Sequence, residues 1–365
     1  MSLPLGWGTI FRLTRTTSVW ALGRAWSVFL LIAVAGVAPA HANMIITPTF
    51  DASIANDANV AAIETAINQA ILVYQGLFTN NVNVQIYFQS FTSNSGLGES
   101  DVGRVYTPTY QTFYDALVAN DGNPTAIASL PDAGAPGSTD PVLGQPDIDV
   151  KSANMRALGL SGSGLCIVTA GDTTPGTNVP NHCGAVQTGS LPVVDGIITL
   201  NTNITSPPNA LSGNYSLQSV AEHEIDEVLG LGSSLPNTNS SSGTVSNARI
   251  EPEDLWRYNS SGQRVFTVNC ANPGSAFFSV DGSGSGQQFN NACNGEDFGD
   301  WQSSGSPQVQ DAVGTAGVNI TLGPNEIAAL TAIGYDEVPE PATIGLMFSA
   351  LGLGYFLRRR LNLAK

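Results

Sequence analysis

The chain has 365 residues, with 13 Lys and Arg against 29 Asp and Glu, for a formal net charge of −16. That balance excludes a protein that tracks nucleic-acid phosphates or docks electrostatically on anionic membranes. Three histidines in the whole chain also exclude a histidine-rich metal site. Residues 1–42 read as a secretory signal. Arg12, Arg15 and Arg24 form a basic region and Ser27 to Ala38 an apolar one. Two small-x-small cleavage sites follow, at Ala38-Pro39-Ala40 and Ala40-His41-Ala42, the second favoured. The apolar run is too short to span a membrane. Residues 43–337, the expected exported part, carry six basic residues and 28 acids, a net −22. That length suits one large domain or two small ones, and the acid excess suits a soluble exported chain with carboxylates to spare for a cation.

The exported part opens with a helix predicted over 58–77, where Ala61, Ile63, Ala66, Ile67, Ala70, Ile71 and Tyr74 recur at helical spacing. Residues 81–90 alternate Val82, Val84, Ile86 and Phe88 with mostly polar neighbours, a strand with one buried face. A second helix is expected at 109–119. A Pro-, Gly- and Asp-rich loop follows at 121–148, with one helical turn near 125–130. Residues 165–170 and 195–201 read as short buried strands, and Pro207 and Pro208 mark a loop before a helix at about 216–230. Residues 233–247 form a Ser/Asn/Gly loop. Strands are expected at 264–268 and 276–280, a turn at Asp281 to Gly286, and a closing helix at 324–333.

The chemistry concentrates in the 216–230 helix, in the string AEHEIDEVLGLGSS at 221–234. His223 and Glu227 stand four residues apart, so they share a helix face and can reach one metal ion. Glu224 sits one step round the helix, placed to take a proton from a water. The string resembles the H-E-x-x-H zinc-hydrolase motif and the longer metzincin signature, with Glu227 and Ser233 where the second and third His stand. A carboxylate is a legitimate zinc ligand, but it weakens the Lewis acid and opens the site to manganese, calcium or magnesium. The bland alternative is an acidic, solvated helix end built from Glu222, Glu224, Asp226 and Glu227.

Cys166, Cys183, Cys270 and Cys293 form no CxxC pair. An even count in an exported chain reads as two disulfides, with the local pairings Cys166–Cys183 and Cys270–Cys293 favoured over the other two connectivities. A metal role for His182 beside Cys183 ranks below a disulfide loop. At the other end, Pro339-Glu340-Pro341, an apolar run from Ile344 to Leu357 and Arg358-Arg359-Arg360 resemble the PEP-CTERM sorting signal of Gram-negative bacteria, over about residues 338–365. The resemblance implies export, transient retention in the inner membrane, cleavage by an exosortase, and an extracellular or cell-surface destination. A plain C-terminal anchor ranks lower, because the run is short and carries Gly345, Gly352 and Gly354.

Three further segments are similar to bacterial metalloproteases that carry a PEP-CTERM tail: the HEIDEVLG helix, Glu253-Asp254-Leu255-Trp256-Arg257-Tyr258, and Phe278 through Asn290-Asn291 to Asp297-Phe298-Gly299-Asp300-Trp301. The ending Leu330 to Asp336 resembles the L-x-x-I-G-[WY]-D close of many metzincin-like domains. The likeness spans most of residues 45–336. It implies an α+β, zincin-like metallopeptidase fold: a mixed sheet, an active-site helix, a more irregular strand-containing C-terminal half, and an edge strand on which a peptide or protein substrate adds as a further strand. It also implies an exported zinc-dependent endopeptidase, with Zn2+ (Mn2+ or Ca2+ as alternatives) on His223 and Glu227 and Glu224 as general base. A downstream carboxylate serves as third ligand, Asp254 first with Glu251 and Glu253 as rivals. Tyr258 donates to the oxyanion. Asp254 as a helix cap or Arg257 partner, and Tyr258 as core, are the structural alternatives. Two other readings stand beside the enzyme: a non-catalytic matrix or surface protein on a degenerate zincin scaffold, and an exopolysaccharide-binding domain using Trp256 and Trp301.

Overall fold

The alternating apolar residues of 83–91 and the unbroken apolar run of 196–201 meet as neighbouring strands in a computed structural model. It describes residues 44–120, 122–131, 137–169, 182–184, 193–235 and 249–338. All of them fall within one unit, His41–Val338. The predicted signal peptide and residues 339–365 of the predicted sorting signal lie outside the described residues. Among the described residues no helix is long and apolar enough to cross a membrane.

The N-terminal half runs β1 (Ile45–Phe50), α1 (Ala52–Ala55), α2 (Val60–Leu77), β2 (Asn83–Phe91), β3 (Gly98–Asp101), α3 (Tyr110–Asn120), α4 (Pro124–Ala128), α5 (Ser152–Ala157), β4 (Cys166–Thr169), β5 (His182–Gly184), β6 (Val193–Val194), β7 (Gly196–Asn201), β8 (Thr205–Ser206), β9 (Tyr215–Ser216) and α6 (Leu217–Leu229). The second half holds a 3-10 turn at Pro252–Trp256, then β10 (Arg257–Tyr258), β11 (Phe277–Phe278), β12 (Gln287–Gln288) and α7 (Pro324–Ala332).

The main sheet has the order β1-β2-β7-β3. β1, β2 and β7 are parallel, and β3 closes the edge antiparallel to β7, with Gly98 opposite Leu200 and Ser100 opposite Ile198. All six residues of β7 are buried, which fits a central strand covered on both faces. On one face Ile86, Phe88, Ile198 and Leu200 join the main core with the buried sides of α2 and α6. On the other, Ile197 and Tyr87 pack with Cys166, Val168 and Val194 of the small sheet β5-β4-β6. Period-two alternation thus divides one strand between two cores.

The structure is a mixed α+β fold, and its predicted helices form with ends shifted by a residue or two. Two strands of the main sheet carry no strand signal in the sequence. β1 contains Pro48 and buries little, and β3 is Gly-Glu-Ser-Asp, a composition that strands disfavour. The strand expected at 276–280 shrinks to β11, and 264–268 contributes single bridge residues, Arg264 (paired with Tyr258) and Val268. Those segments lie in a half held by side chains rather than ladders. Phe278, Phe289 and Trp301 pack with centroids 5.1–6.2 Å apart. The buried Arg257 guanidinium lies 4.4 Å over the Phe289 ring and donates to the Phe298 carbonyl at 2.7 Å and to Asn291 Oδ1 at 2.8 Å.

Both expected disulfides, Cys166–Cys183 and Cys270–Cys293, are formed. They fit an oxidising compartment outside the cytoplasm. Cys270–Cys293 closes a loop with a sequence separation of 23 in the half poorest in regular structure. Chain-entropy arithmetic puts its contribution at about 3 kcal/mol. The Cys270→Ala/Cys293→Ala variant is therefore expected to lose about that much unfolding free energy in a denaturant titration. A change below about 0.5 kcal/mol would show that the loop is already closed in the unfolded chain.

Candidate metal centre

Helix α6 starts at Ser216, whose Oγ accepts from Ser219 N at 3.2 Å and donates to Asn319 Oδ1. It ends where Gly230 N and Leu231 N both donate to the Asp226 carbonyl at 3.0 Å. Its apolar stripe of Val220, Ala221, Ile225, Val228 and Leu229 is buried. Burying that stripe turns His223 and Glu227 together toward the second half of the chain.

What meets them is Asp300. His223 Nε2 stands 3.7 Å from Glu227 Oε1 and 3.7 Å from Asp300 Oδ1, and one donor atom from each residue lies within 4.8 Å of the others. Around a tetrahedral zinc, donors at about 2.0–2.2 Å stand roughly 3.3–3.6 Å apart, so small side-chain movements suffice to close on an ion. The side chains are also held for the task. His223 Nδ1 donates to the Val309 carbonyl at 2.9 Å. A carbonyl can only accept, so in the neutral ring this bond leaves the Nε2 lone pair facing the acids, as metal-bound histidines require. Glu227 Oε2 accepts from Ser100 Oγ of β3 at 2.6 Å, leaving Oε1 for the centre. Asp300 Oδ1 accepts from Gln310 Nε2 at 3.1 Å.

Two glycines permit the assembly. A Cβ on Gly98 would overlap the Glu224 carboxylate, so a bare edge-strand residue gives Glu224 its place. A Cβ on Gly299 would collide with the backbone of Gly232 and Ser233, so only glycine lets the 297–300 turn dock against the exit of α6 and carry Asp300 in.

The electrostatics are those of a cation-binding pocket. Burial raises the Glu224 pKa well above the usual carboxylate range, and Glu227 adds to the rise through its charge and a hydrogen bond between the two carboxyls. Burial likewise raises Asp300, with Asp297 and Glu227 adding repulsion, and it raises Asp297, with Glu227 adding most. Burial pulls the His223 pKa down, but Glu224 and Glu227 outweigh it and the net shift is upward. Lys151, the one lysine among the described residues, is committed elsewhere: its Nζ donates to the Leu231 carbonyl at 2.7 Å and pairs with Glu251 at 3.4 Å. Carboxylates that repel one another around a single imidazole gain most from a divalent ion.

The sequence-predicted residues divide. His223, Glu224 and Glu227 come together. Asp254, the expected third ligand, does not join them: its Oδ1 accepts from Ser233 Oγ at 2.5 Å, and its Oδ2 accepts from Ser234 N and Glu251 N at 3.1 Å each. Glu251 is the Lys151 partner, and Glu253 Oε2 accepts from Gly232 N at 2.7 Å. These three acids grip the exit of α6 instead of a metal. Tyr258 is 3% exposed in the main core, its ring under the Arg264 guanidinium at 4.9 Å, which is the packing role weighed for it as the alternative. Trp256 and Trp301 are likewise fully buried, so neither offers a sugar-stacking face. Asp300 and Ser100 were missed. Asp300 lay in a segment the resemblance had marked, but its distance along the chain gives no ligand spacing to read.

A cleft of about 490 Å3 opens beside the centre. Gly98 at the start of β3, Tyr215, Val220 and the 308–315 segment wall it, and His223, Glu224 and Asp300 face it.

Behind α6, the Tyr74 hydroxyl donates to the Glu222 carbonyl at 2.6 Å and lies at hydrogen-bond distance, 2.9 Å, from Asp226 Oδ1. Burial raises the Asp226 pKa well above normal, Glu326 adds to it, and the Tyr74 hydrogen bond opposes. The folded state therefore holds a proton that the unfolded chain releases above about pH 4. The stability this provides is complete below that pH and is lost as pH rises through the folded pKa. Asp226→Asn is expected to remove one proton's slope, about 1.4 kcal/mol per pH unit, so that its stability gains on wild type as pH rises above about 4. Denaturant titrations at several pH values check this; parallel curves for the two proteins would show that Asp226 folds ionised.

No protein-family model matches the chain, and comparisons with curated proteins and with solved structures return no match.

Proposed function

We propose that the protein is an exported metal-dependent endopeptidase with a zincin-like arrangement, its ion held by His223, Glu227 and Asp300. The observation that carries this reading is the convergence of one imidazole Nε2 and two carboxylate oxygens from distant segments, beside a cleft that also contains Glu224. The nitrogen donor argues against calcium, which takes oxygen ligands, and favours zinc, with manganese next. The bound ion would supply Lewis acidity, polarising the scissile carbonyl and acidifying a water. Glu224 takes a proton from that water and delivers it to the leaving amine nitrogen. β3, one of the two edge strands of the main sheet, borders the cleft through Gly98. A substrate backbone adds along it as an antiparallel strand, which brings a peptide carbonyl over the centre.

Export and processing complete the proposal: the signal at 1–42 and the PEP-CTERM-like segment at 338–365 direct the chain through the inner membrane, with exosortase cleavage near Pro339-Glu340-Pro341. The competing reading, a non-catalytic matrix protein on the same scaffold, draws on the two carboxylate ligands, which make a weaker Lewis acid than neutral donors. Casein and quenched-fluorescence peptide assays separate the two. Hydrolysis that is lost on treatment with a chelator and restored by one equivalent of zinc or manganese is expected. Stoichiometric ion binding with no hydrolysis of any peptide would leave the scaffold reading standing.

A further inference from the structure

The cleft holds a carboxylate that the centre does not use. Asp311 is 5% exposed; its Oδ2 accepts from Gln308 N at 3.0 Å, and its Oδ1 has no hydrogen-bond partner. It lines the same cleft as His223, Glu224 and Asp300. It is also fixed in place. Ala312 N donates to the Trp301 carbonyl at 2.9 Å and Trp301 N to the Gln310 carbonyl at 2.7 Å. Trp301 pairs with Asp311 as a parallel bridge. Asp311 is therefore tied by backbone to the neighbour of the ligand Asp300, and Val309, two residues before it, holds the His223 ring.

A buried carboxylate oxygen without a donor is uncommon, because its desolvation is uncompensated. A donor arriving with a ligand would recover that loss, and a cationic donor would recover most. None of the cleft's lining residues is Lys or Arg, and Glu296 adds a second carboxylate beyond the centre. An ion on His223, Glu227 and Asp300 has its charge matched by its two acidic ligands. The field left in the cleft is then negative and concentrates positively charged groups.

We infer that Asp311 is the specificity determinant of the cleft, accepting the side chain of a lysine or arginine in a peptide laid along β3. This rests on the peptidase reading for its substrate, and the binding measurement below separates the two.

The probe is a set of fluorescein-labelled octapeptides identical except for a central lysine, arginine, norleucine or glutamate. Binding to the full chain is followed by polarisation in a Glu224→Gln background, which blocks turnover, both with zinc and after dialysis against a chelator. Lysine and arginine peptides are expected to bind at least about tenfold more tightly than the norleucine peptide. The margin should shrink as salt rises, and glutamate should bind worst. In Asp311→Asn, which retains an oxygen for Gln308 N, the lysine-to-norleucine ratio should fall towards one. Equal binding of lysine and norleucine by the wild-type cleft overturns the inference, as does a preference that persists in Asp311→Asn. Should that variant fail to fold, a structure of the lysine-peptide complex decides: Nζ within hydrogen-bond reach of Asp311 Oδ1 supports the assignment, and Nζ elsewhere overturns it. A basic preference without cleavage of any peptide by the unsubstituted chain keeps the cleft assignment and sinks the peptidase; cleavage indifferent to basic residues does the reverse.

Discussion

Asp300→Ala is expected to strip the centre of its ion. The wild-type chain should carry about one zinc or manganese ion by elemental analysis. The affinity of Asp300→Ala, measured by calorimetry or competition with a chromophoric chelator, should fall by at least about 100-fold. Loss of an outer-shell partner alone costs about 10–100-fold, and Asp300 is one of the three donors that converge among the described residues. His223→Ala should behave in the same way. The informative contrast is Asp254→Ala. Asp254 receives hydrogen bonds from Ser233, Ser234 and Glu251, so its loss should leave ion stoichiometry at one while lowering stability by about 1–3 kcal/mol. If Asp254→Ala releases the ion and Asp300→Ala keeps it, the centre described here is wrong and the downstream carboxylate expected from the sequence is right.

The second large effect falls on turnover. Glu224→Gln is expected to reduce kcat by about 10²–10⁴-fold, the usual contribution of a positioned general base, while ion content stays at one. Glutamine keeps the shape that fits against Gly98. Its amide can also donate to Glu227 across the hydrogen bond that links the two side chains. Ion binding and packing are thereby separated from proton transfer. Peptide hydrolysis by Glu224→Gln at a rate within a few-fold of wild type would remove Glu224 from the chemistry. Loss of both ion and activity would instead make it a structural member of the centre.

The residues that were legible from sequence share one property: their partners are close along the chain. The i, i+4 relation of His223 and Glu227, the step to Glu224, and the apolar stripe that orients α6 are set within four turns of one helix. The pairings Cys166–Cys183 and Cys270–Cys293 join near neighbours. The amphipathic patterns of α2 and β2 likewise needed no tertiary context. By contrast, β3 carries almost no strand signal. It exists because its backbone pairs with β7 and its Ser100 reaches Glu227, both decided after the sheet assembles.

Asp254 and Asp300 show the same division within the site. Both are buried acids downstream of α6, and composition cannot rank them. Asp254, the nearer in sequence, is consumed by the backbone it folds beside. Asp300 reaches the centre because Gly299 lets two backbones touch, because Trp301 anchors the turn through Nε1 to Glu326 at 3.0 Å, and because Gln310 steadies its carboxylate. The amino-acid order by itself determined the acidic balance, the helix with its imidazole and two carboxylates, and the two short covalent loops, since each depends on local spacing. Only the tertiary structure decided which distant acid completes the centre and which residues wall the cleft. Those depend on long-range packing, where a few ångströms of approach, set by glycines and buried aromatics, outweigh nearness along the chain.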